Sequence, residues 1–449
     1  MGRASATAQE IEGNQRCQGS NGANNRVSSK DRVAHDWYRF VLSYPPHLVR
    51  NYLNKFEIDS DQRVLDPFCG TGTTVVECKI RGIPSVGIEA HPMSCFASQV
   101  KVDWTPVPKG LLEHASAVAE KVLSALHAQG LDDYMLIRQP LSKSELAGLR
   151  KLPENTNKLL LTDSISPLPL HKCLMLLDCL KQERDKRYYN HELLALAKSL
   201  VTDVGNLQFG PEVGVGPAKA DAPVVNSWLS CVRAIADDLR QLRERRETAT
   251  EVHHADARQS FNLFKPNSID AVITSPPYPN EKDYTRTTRL ETVLLGFIQE
   301  KGDLQAIKRS LMRSNTRNVY KGDNDDQWVS NHPEIQRIAE AIEARRIQLS
   351  KTSGFERLYG KVTKLYFGGM ARHLGELRGI LRPGARLAYV VGDQASYLRI
   401  MIRTGQILAD IAQSLGYELE DIDLFRTRLA TATREQLREE VVIFRWPGK

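Results

Sequence analysis

The sequence lacks any run of about 18 apolar residues, the length a membrane-spanning helix requires. Its seven cysteines (Cys17, Cys69, Cys78, Cys95, Cys173, Cys179 and Cys231) are odd in number and contain no CxxC pair. That usage disfavours a disulfide framework and a zinc site, and a reducing cytoplasm is expected. The first residues carry no apolar core of a secretory signal; Ser, Asn, Gly, Gln and charge predominate there. The eleven histidines are scattered, and the adjacent His253 and His254 point to opposite faces of a strand, so no metal site is expected. Charge of one sign is also scarce: 61 Lys and Arg against 54 Asp and Glu leave +7 over 449 residues. Such a balance permits a polyanionic partner without demanding one. No internal repeat is found.

What is present is 41% hydrophobic and 26% charged residues, enough for a substantial core. Residues 1–30 are too polar to offset ordering entropy and read as a disordered tail. Aromatics begin near Trp37, and Pro46 opens a helical pattern. Residues 63–68 read as a short buried strand entering a glycine turn, residues 73–80 as a helix and 84–89 as a second strand. Strand, turn, helix and strand form a βαβ unit, which favours a parallel sheet. From about 105 to 250 the pattern turns helical, interrupted by a Gly- and Pro-rich loop over 205–223. Strand-like runs return at 251–254, 268–274, 385–392, 417–425 and 440–446, a helix is expected over 374–381, and residues 300–355 form a second polar interruption. The expected fold is α/β: a Rossmann-like doubly wound domain (31–104 and 251–449) carrying a large helical insertion (105–250).

Two loops carry chemistry. The first is Asp66-Pro67-Phe68-Cys69-Gly70-Thr71-Gly72-Thr73-Thr74, where a strand hands over to a helix and ligands bind in open α/β sheets. A dinucleotide fingerprint needs a third glycine where Val75 stands, and a phosphate loop needs a lysine that does not follow Gly72. The loop therefore argues against pyrophosphate and nucleoside triphosphate. Glu89, closing the next strand, is placed to accept hydrogen bonds from ribose hydroxyls. The second loop, Thr274-Ser275-Pro276-Pro277-Tyr278, ends an apolar strand in two prolines whose φ angles are pinned. A rigid backbone suits the holding of acceptor oxygens, here Ser275 Oγ and the Pro276 carbonyl, against the N–H groups of an exocyclic amine. Tyr278 is suited to stack on a base taken out of its helix.

Together these residues resemble the S-adenosylmethionine-dependent DNA methyltransferases that act on exocyclic amines. The segment from Tyr44 through Pro46 to Val49 is similar to the stretch that lies over the methionine moiety in that family. The resemblance implies a seven-stranded sheet with its last strand antiparallel. It implies a cofactor site of Pro46, Asp66, Pro67, Phe68, Gly70, Thr71, Gly72, Thr73, Thr74 and Glu89, with Asp256 at the cofactor adenine, and an amine site of Ser275, Pro276, Pro277 and Tyr278. Serine in the TSPPY form favours N4 of cytosine over N6 of adenine as the acceptor. Cytosine C5 methylation is disfavoured, because no cysteine here follows a proline. Double-stranded DNA is the implied partner, with a cognate restriction endonuclease as a second candidate and the recognition sequence unread; the setting implied is a prokaryotic cytoplasm, associated with the nucleoid. The alternatives are an RNA guanine-N2 methyltransferase and an inactive DNA-binding subunit on the same fold. Two further features bear on DNA: Lys308, Arg309, Arg313, Arg317 and Lys321 recur near four-residue spacing, as phosphate contacts or as a solvated face, and Tyr284, Arg286 and Arg289 follow the second loop.

Overall fold

The computed structural model describes residues 31–39, 43–134, 142–209, 213–279, 283–429 and 435–448. The expected disordered tail, residues 1–30, lies outside them. Seven strands form one sheet: β1 (Val64–Asp66), β2 (Ser85–Glu89), β3 (Thr250–His254), β4 (Ile269–Thr274), β5 (Leu381–Gly392), β6 (Glu418–Leu429) and β7 (Gln436–Arg445), in the spatial order β3-β2-β1-β4-β5-β7-β6. The pairings among β1 to β5 are parallel. The last strand, β7, is antiparallel to both neighbours. This is the Rossmann-like doubly wound sheet expected above.

Strand residues alternate between the two faces, as a period of two requires. Leu65, Val272, Leu387 and Tyr389 belong to the core on one face. Val64, Ala271, Ile273, Ala388 and Val390 belong to the core on the other. Each fully buried side chain of this kind contributes roughly 1.5–3 kcal/mol.

Helices follow the strands: α1 (Pro46–Lys55) precedes β1, α2 (Thr73–Ile80) links β1 to β2, and α3 (Pro92–Lys101) follows β2. Between α3 and β3 the long helices are α4 (Pro108–His127), α5 (Pro167–Gln182), α6 (Tyr189–Ser199) and α7 (Val224–Leu242). On α7, Val225, Trp228, Val232, Ile235 and Leu239 recur every three or four residues and are buried. Their cluster is continuous with Trp37, with Val75 and Val76 of α2 and with Met93 of α3. The helical stretch thus extends the same core.

Four details differ from the sequence reading. Within the 205–223 loop, Leu207–Phe209 pairs antiparallel with Val213–Val215. The helix expected over 374–381 ends earlier: α10 (Tyr359–Leu377) stops at Leu377, and β5 begins at Leu381. Arg382-Pro383-Gly384 looks like a turn but lies inside β5, because the Gly384 N–H donates to the Trp446 carbonyl at 2.7 Å and the β4–β5 register shifts to absorb the extra residues. Finally, the polar stretch 300–355 contains α8 (Lys301–Ser310) and α9 (Pro333–Gln348), the latter burying only Ile335, Ile338, Ala339 and Ile342 along one stripe. The chain then closes through α11 (Thr404–Ser414).

Strand order reverses between β1 and β4. The connections leaving these two strands diverge there and open a crevice at their carboxyl ends.

Candidate active site

The crevice holds a cavity of about 560 Å³, within the range of small-molecule sites. Both sequence loops reach it: Pro67, Phe68, Gly70, Thr71 and Thr73 from the first, and Ser275, Pro276, Pro277 and Tyr278 from the second. Glu89 and Asp256 line it as well, whereas Pro46, Asp66, Gly72 and Thr74 do not. The glycine loop folds as its composition dictates. Gly70 and Gly72 have φ of 53° and 88°, in the left-handed region that side chains disfavour. A Cβ on Gly72 would also sit 3.1 Å from Ser98 Oγ, so α3 packs closely beneath the turn.

Asp66, Thr74 and Pro46 lie behind the cavity wall, where two of them brace it. The fully buried Asp66 carboxylate accepts from the Thr274 hydroxyl at 2.6 Å, the Phe68 N–H at 3.1 Å and the Tyr44 hydroxyl at 3.2 Å. The Thr74 hydroxyl donates to the Ile273 carbonyl at 3.1 Å and lies in close contact with the Tyr44 hydroxyl, whose one proton Thr74 and Asp66 share. One carboxylate therefore ties together the end of β1, the segment before α1 and the end of β4. Burial raises its pKa above the usual carboxylate range, against the opposing effect of these donors. Beneath the loop, Lys101 Nζ donates to the Thr71 carbonyl at 2.7 Å and the Tyr38 carbonyl at 3.3 Å. Burial brings this lysine down to about 7.

Glu89 accepts the Gly70 N–H at 2.8 Å and the His91 N–H at 2.7 Å, which fixes its carboxylate at the cavity edge. Burial raises it to about 7. Phe68 packs edge-on against His373, at 4.8 Å between centroids and 65° between planes. His373 is held by the Ala257 carbonyl at 2.9 Å and the Tyr389 hydroxyl at 2.7 Å, and burial lowers it to about 4. Asp256 is gripped by the Arg258 guanidinium at 2.6–3.1 Å, and Arg258 reaches on to Asp325 at 2.6 Å. Nothing in the sequence singled out Arg258 or its partner 67 residues away.

In the second loop the Ser275 hydroxyl donates to the Val390 carbonyl at 3.2 Å. Its single proton is thus committed to the sheet, and its lone pairs are left as acceptors. Tyr278 packs at the end of β5, where a Cβ on Gly392 would fall 2.7 Å from the ring's Cε2.

Other walls were missed by the sequence reading. Leu311, Met312, Ser314 and Asn318 supply one, from a stretch too polar and aperiodic to signal its role. Phe425, Arg426 and Arg428 of β6 supply another, Arg426 being paired with Glu439 at 2.6 and 2.9 Å. The basic stripe is not a uniform solvated face. Lys308 pairs with Asp283 at 3.0 Å, and the buried Arg313 pairs with Asp323 at 2.8 Å, while Arg317 and Lys321 are exposed. Arg289 donates to the Thr285 and Leu159 carbonyls, and of its neighbours Tyr284 reaches the cavity.

A seven-stranded sheet with an antiparallel last strand, a glycine loop after β1 and an acidic end to β2 make this the Rossmann-like methyltransferase fold. The family model of the DNA methylases matches residues 15–99. Among curated proteins, Type II methyltransferase M.BsoBI of Geobacillus stearothermophilus is 23% identical over 450 residues, covering 94% of this chain and 87% of its own. M.AvaI of Nostoc sp. is 23% identical over 94% of this chain and 88% of its own. M.MjaII of Methanocaldococcus jannaschii is 32% identical over 85 residues, 18% of this chain and 16% of its own. The chain is thus similar to the DNA methylases over residues 15–99 and to Type II methyltransferases over 94% of its length, and methyltransferases of this type use S-adenosylmethionine as the methyl donor. The cavity fits that cofactor in the residues it offers: a fixed carboxylate at the end of β2, apolar walls from Phe68, Leu311 and Met312, and a glycine turn open to close approach.

Proposed function

We propose that this protein methylates the exocyclic amine of a base extruded from double-stranded DNA, with N4 of cytosine as the acceptor. The observation that carries this reading is the Ser275 hydroxyl, whose proton is given to Val390 beside a cavity that the glycine loop also lines. S-adenosylmethionine supplies a sulfonium methyl group open to attack in line. Ser275 Oγ and the Pro276 carbonyl accept from the two N–H groups of the amine. A nitrogen so held pyramidalises, and its lone pair leaves conjugation with the ring and points toward the methyl donor. The new bond is nitrogen to carbon, the broken bond is carbon to sulfur with the thioether as leaving group, and the proton lost from nitrogen passes to water. Catalysis is positioning and electrostatics, with no covalent enzyme intermediate.

Tyr278 stacks on the extruded base, which must leave the helix to be reached. Glu89 holds the ribose hydroxyls, and Asp256, oriented by Arg258, lies at the adenine end. Pro46, Asp66, Gly72 and Thr74 act from behind the wall, through the shape of the loops. The catalytic part comprises 31–104 and 251–449, and the helical stretch 105–250 is the candidate reader of the target sequence. Serine at the first position of the amine loop supports cytosine over adenine. Two relatives matched over nearly the whole chain carry Type II methyltransferase names, which supports a role beside a cognate restriction endonuclease.

The test is incubation with tritiated S-adenosylmethionine and either duplex DNA or structured RNA. Label in DNA alone is expected; label confined to RNA contradicts the proposal and favours guanine-N2 methylation.

A further inference from the structure

Asn318 is 2% exposed and lines the cavity, yet none of the described residues bonds its Oδ1 or its Nδ2. Buried side-chain amides are almost always paired, so an open one in the wall of a ligand cavity requires a reason. The chain around it is firmly built. Arg313, itself buried, closes the loop by donating to both Asp323 oxygens at 2.8 Å, and the Tyr320 N–H donates to Asp323 at 2.7 Å. Asn315 caps the short turn Thr316–Asn318 by accepting from the Arg317 N–H at 3.0 Å. The amide of Asn318 is thus presented on a rigid loop with its hydrogen-bonding capacity unspent.

Position selects the ligand. The Ser314 carbonyl accepts from the Tyr397 hydroxyl at 3.4 Å, and Tyr397 follows β5, the strand beside β4 and its amine loop. Asn318 lies four residues on from Ser314 and lines the same cavity as Ser275 and Pro276. The opposite end is already furnished by Glu89 and Asp256. We infer that Asn318 reads the extruded base, its Nδ2–H donating to the unprotonated ring nitrogen adjacent to the carbon that bears the target amine. Cytosine and adenine both present that acceptor beside their amine. Thymine and guanine carry N–H at the corresponding ring position, so the same donor rejects them. Asn318 is then a specificity-determining contact that fixes the base in plane before Ser275 and Pro276 engage the amine.

This inference rests on the proposed reaction, and its test separates the two. The substrates are a duplex that the wild-type protein methylates and the same duplex with a deaza base, carrying CH in place of that ring nitrogen, at the target. Wild-type kcat/KM is expected to fall roughly 10- to 100-fold on the deaza duplex, as for a site built to pair with a group the substrate lacks. Asn318→Leu is expected to be equally slow on both duplexes, with its Kd for S-adenosylmethionine unchanged. Asn318→Asp keeps the side chain's shape; its thermal melt checks folding, and it is expected to be as slow as the leucine variant. Equal penalties for the deaza base in wild type and Asn318→Leu overturn the inference, as does full activity of that variant or a loss confined to cofactor affinity. A wild-type protein that labels no duplex overturns the reaction itself, and this reading with it.

Discussion

The Thr274 hydroxyl donates to the Asp66 carboxylate at 2.6 Å, joining the first residues of the amine loop and the glycine loop across 208 positions of sequence. Both side chains are fully buried. The two loops, already neighbours through the β1–β4 pairing, are further pinned to each other by this short hydrogen bond beneath the cavity floor, with Tyr44 as a second donor to Asp66. Thr274→Val is expected to destabilise the protein by about 1–3 kcal/mol, the cost of leaving a buried carboxylate short of a partner. Thr274→Ser should restore most of it, and Asp66→Asn combined with Thr274→Val should cost less than the sum of the two. Urea titrations of the four variants check this; strict additivity would mean the two loops are held independently.

Ser275→Ala should lower kcat by roughly 100-fold or more, the scale of one positioned electrostatic contact to a developing charge. The Kd for S-adenosylmethionine should stay within about twofold, because in the proposed mechanism this hydroxyl faces the amine and not the cofactor. Single-turnover methyl transfer and calorimetry measure the two quantities. An unchanged rate would remove Ser275 from the reaction.

Tyr278 stands against a glycine for a steric reason. A Cβ on Gly392 would fall 2.7 Å from its ring, so Gly392→Ala must displace the ring without altering its chemistry. Both Gly392→Ala and Tyr278→Ala are expected to raise the KM for DNA, Tyr278→Ala by the roughly 5- to 150-fold that corresponds to 1–3 kcal/mol of base stacking, while Tyr278→Phe stays near wild type. Steady-state methylation with varied duplex checks the series.

The pH dependence of cofactor binding follows from Glu89, raised by burial to about 7. Its carboxylate form, dominant above that value, accepts from ribose hydroxyls more strongly than the neutral acid. Affinity for S-adenosylmethionine should therefore rise between pH 6 and 8, and Glu89→Gln should flatten the curve. The same elevation means that this group favours the fold below its ordinary carboxylate range and loses that contribution as pH rises through about 7. Calorimetric titrations at three pH values decide it; an affinity that falls with pH in wild type contradicts the assignment.

Much of the fold was legible because its signals are local. The strand-to-glycine turn at Asp66 to Gly72, the acidic end of β2 and the proline-pinned loop after Thr274 each declare themselves within ten residues, and the sheet brings them to one rim. Long-range pairings were not legible. Asp66 carries the composition of a cavity residue, yet Thr274 and Tyr44 claim its oxygens from below the floor. The grip of Arg258 on Asp256 and Asp325 depends on how residues 300–355 fold back, and that stretch shows charge where a periodic core signal is needed. The stripe from Lys308 to Lys321 failed as a uniform surface for the same reason: Lys308 and Arg313 find acids of their own once the loop closes.

The central claim is the transfer of a methyl group to an exocyclic amine of a DNA base. Mass spectrometry of nucleosides released from duplex DNA after incubation with the protein and S-adenosylmethionine tests it most directly. N4-methylcytosine is the expected product, formed roughly 100-fold or more slowly by Ser275→Ala. N6-methyladenine would overturn the choice of base, and DNA bearing no methylated amine would contradict the account.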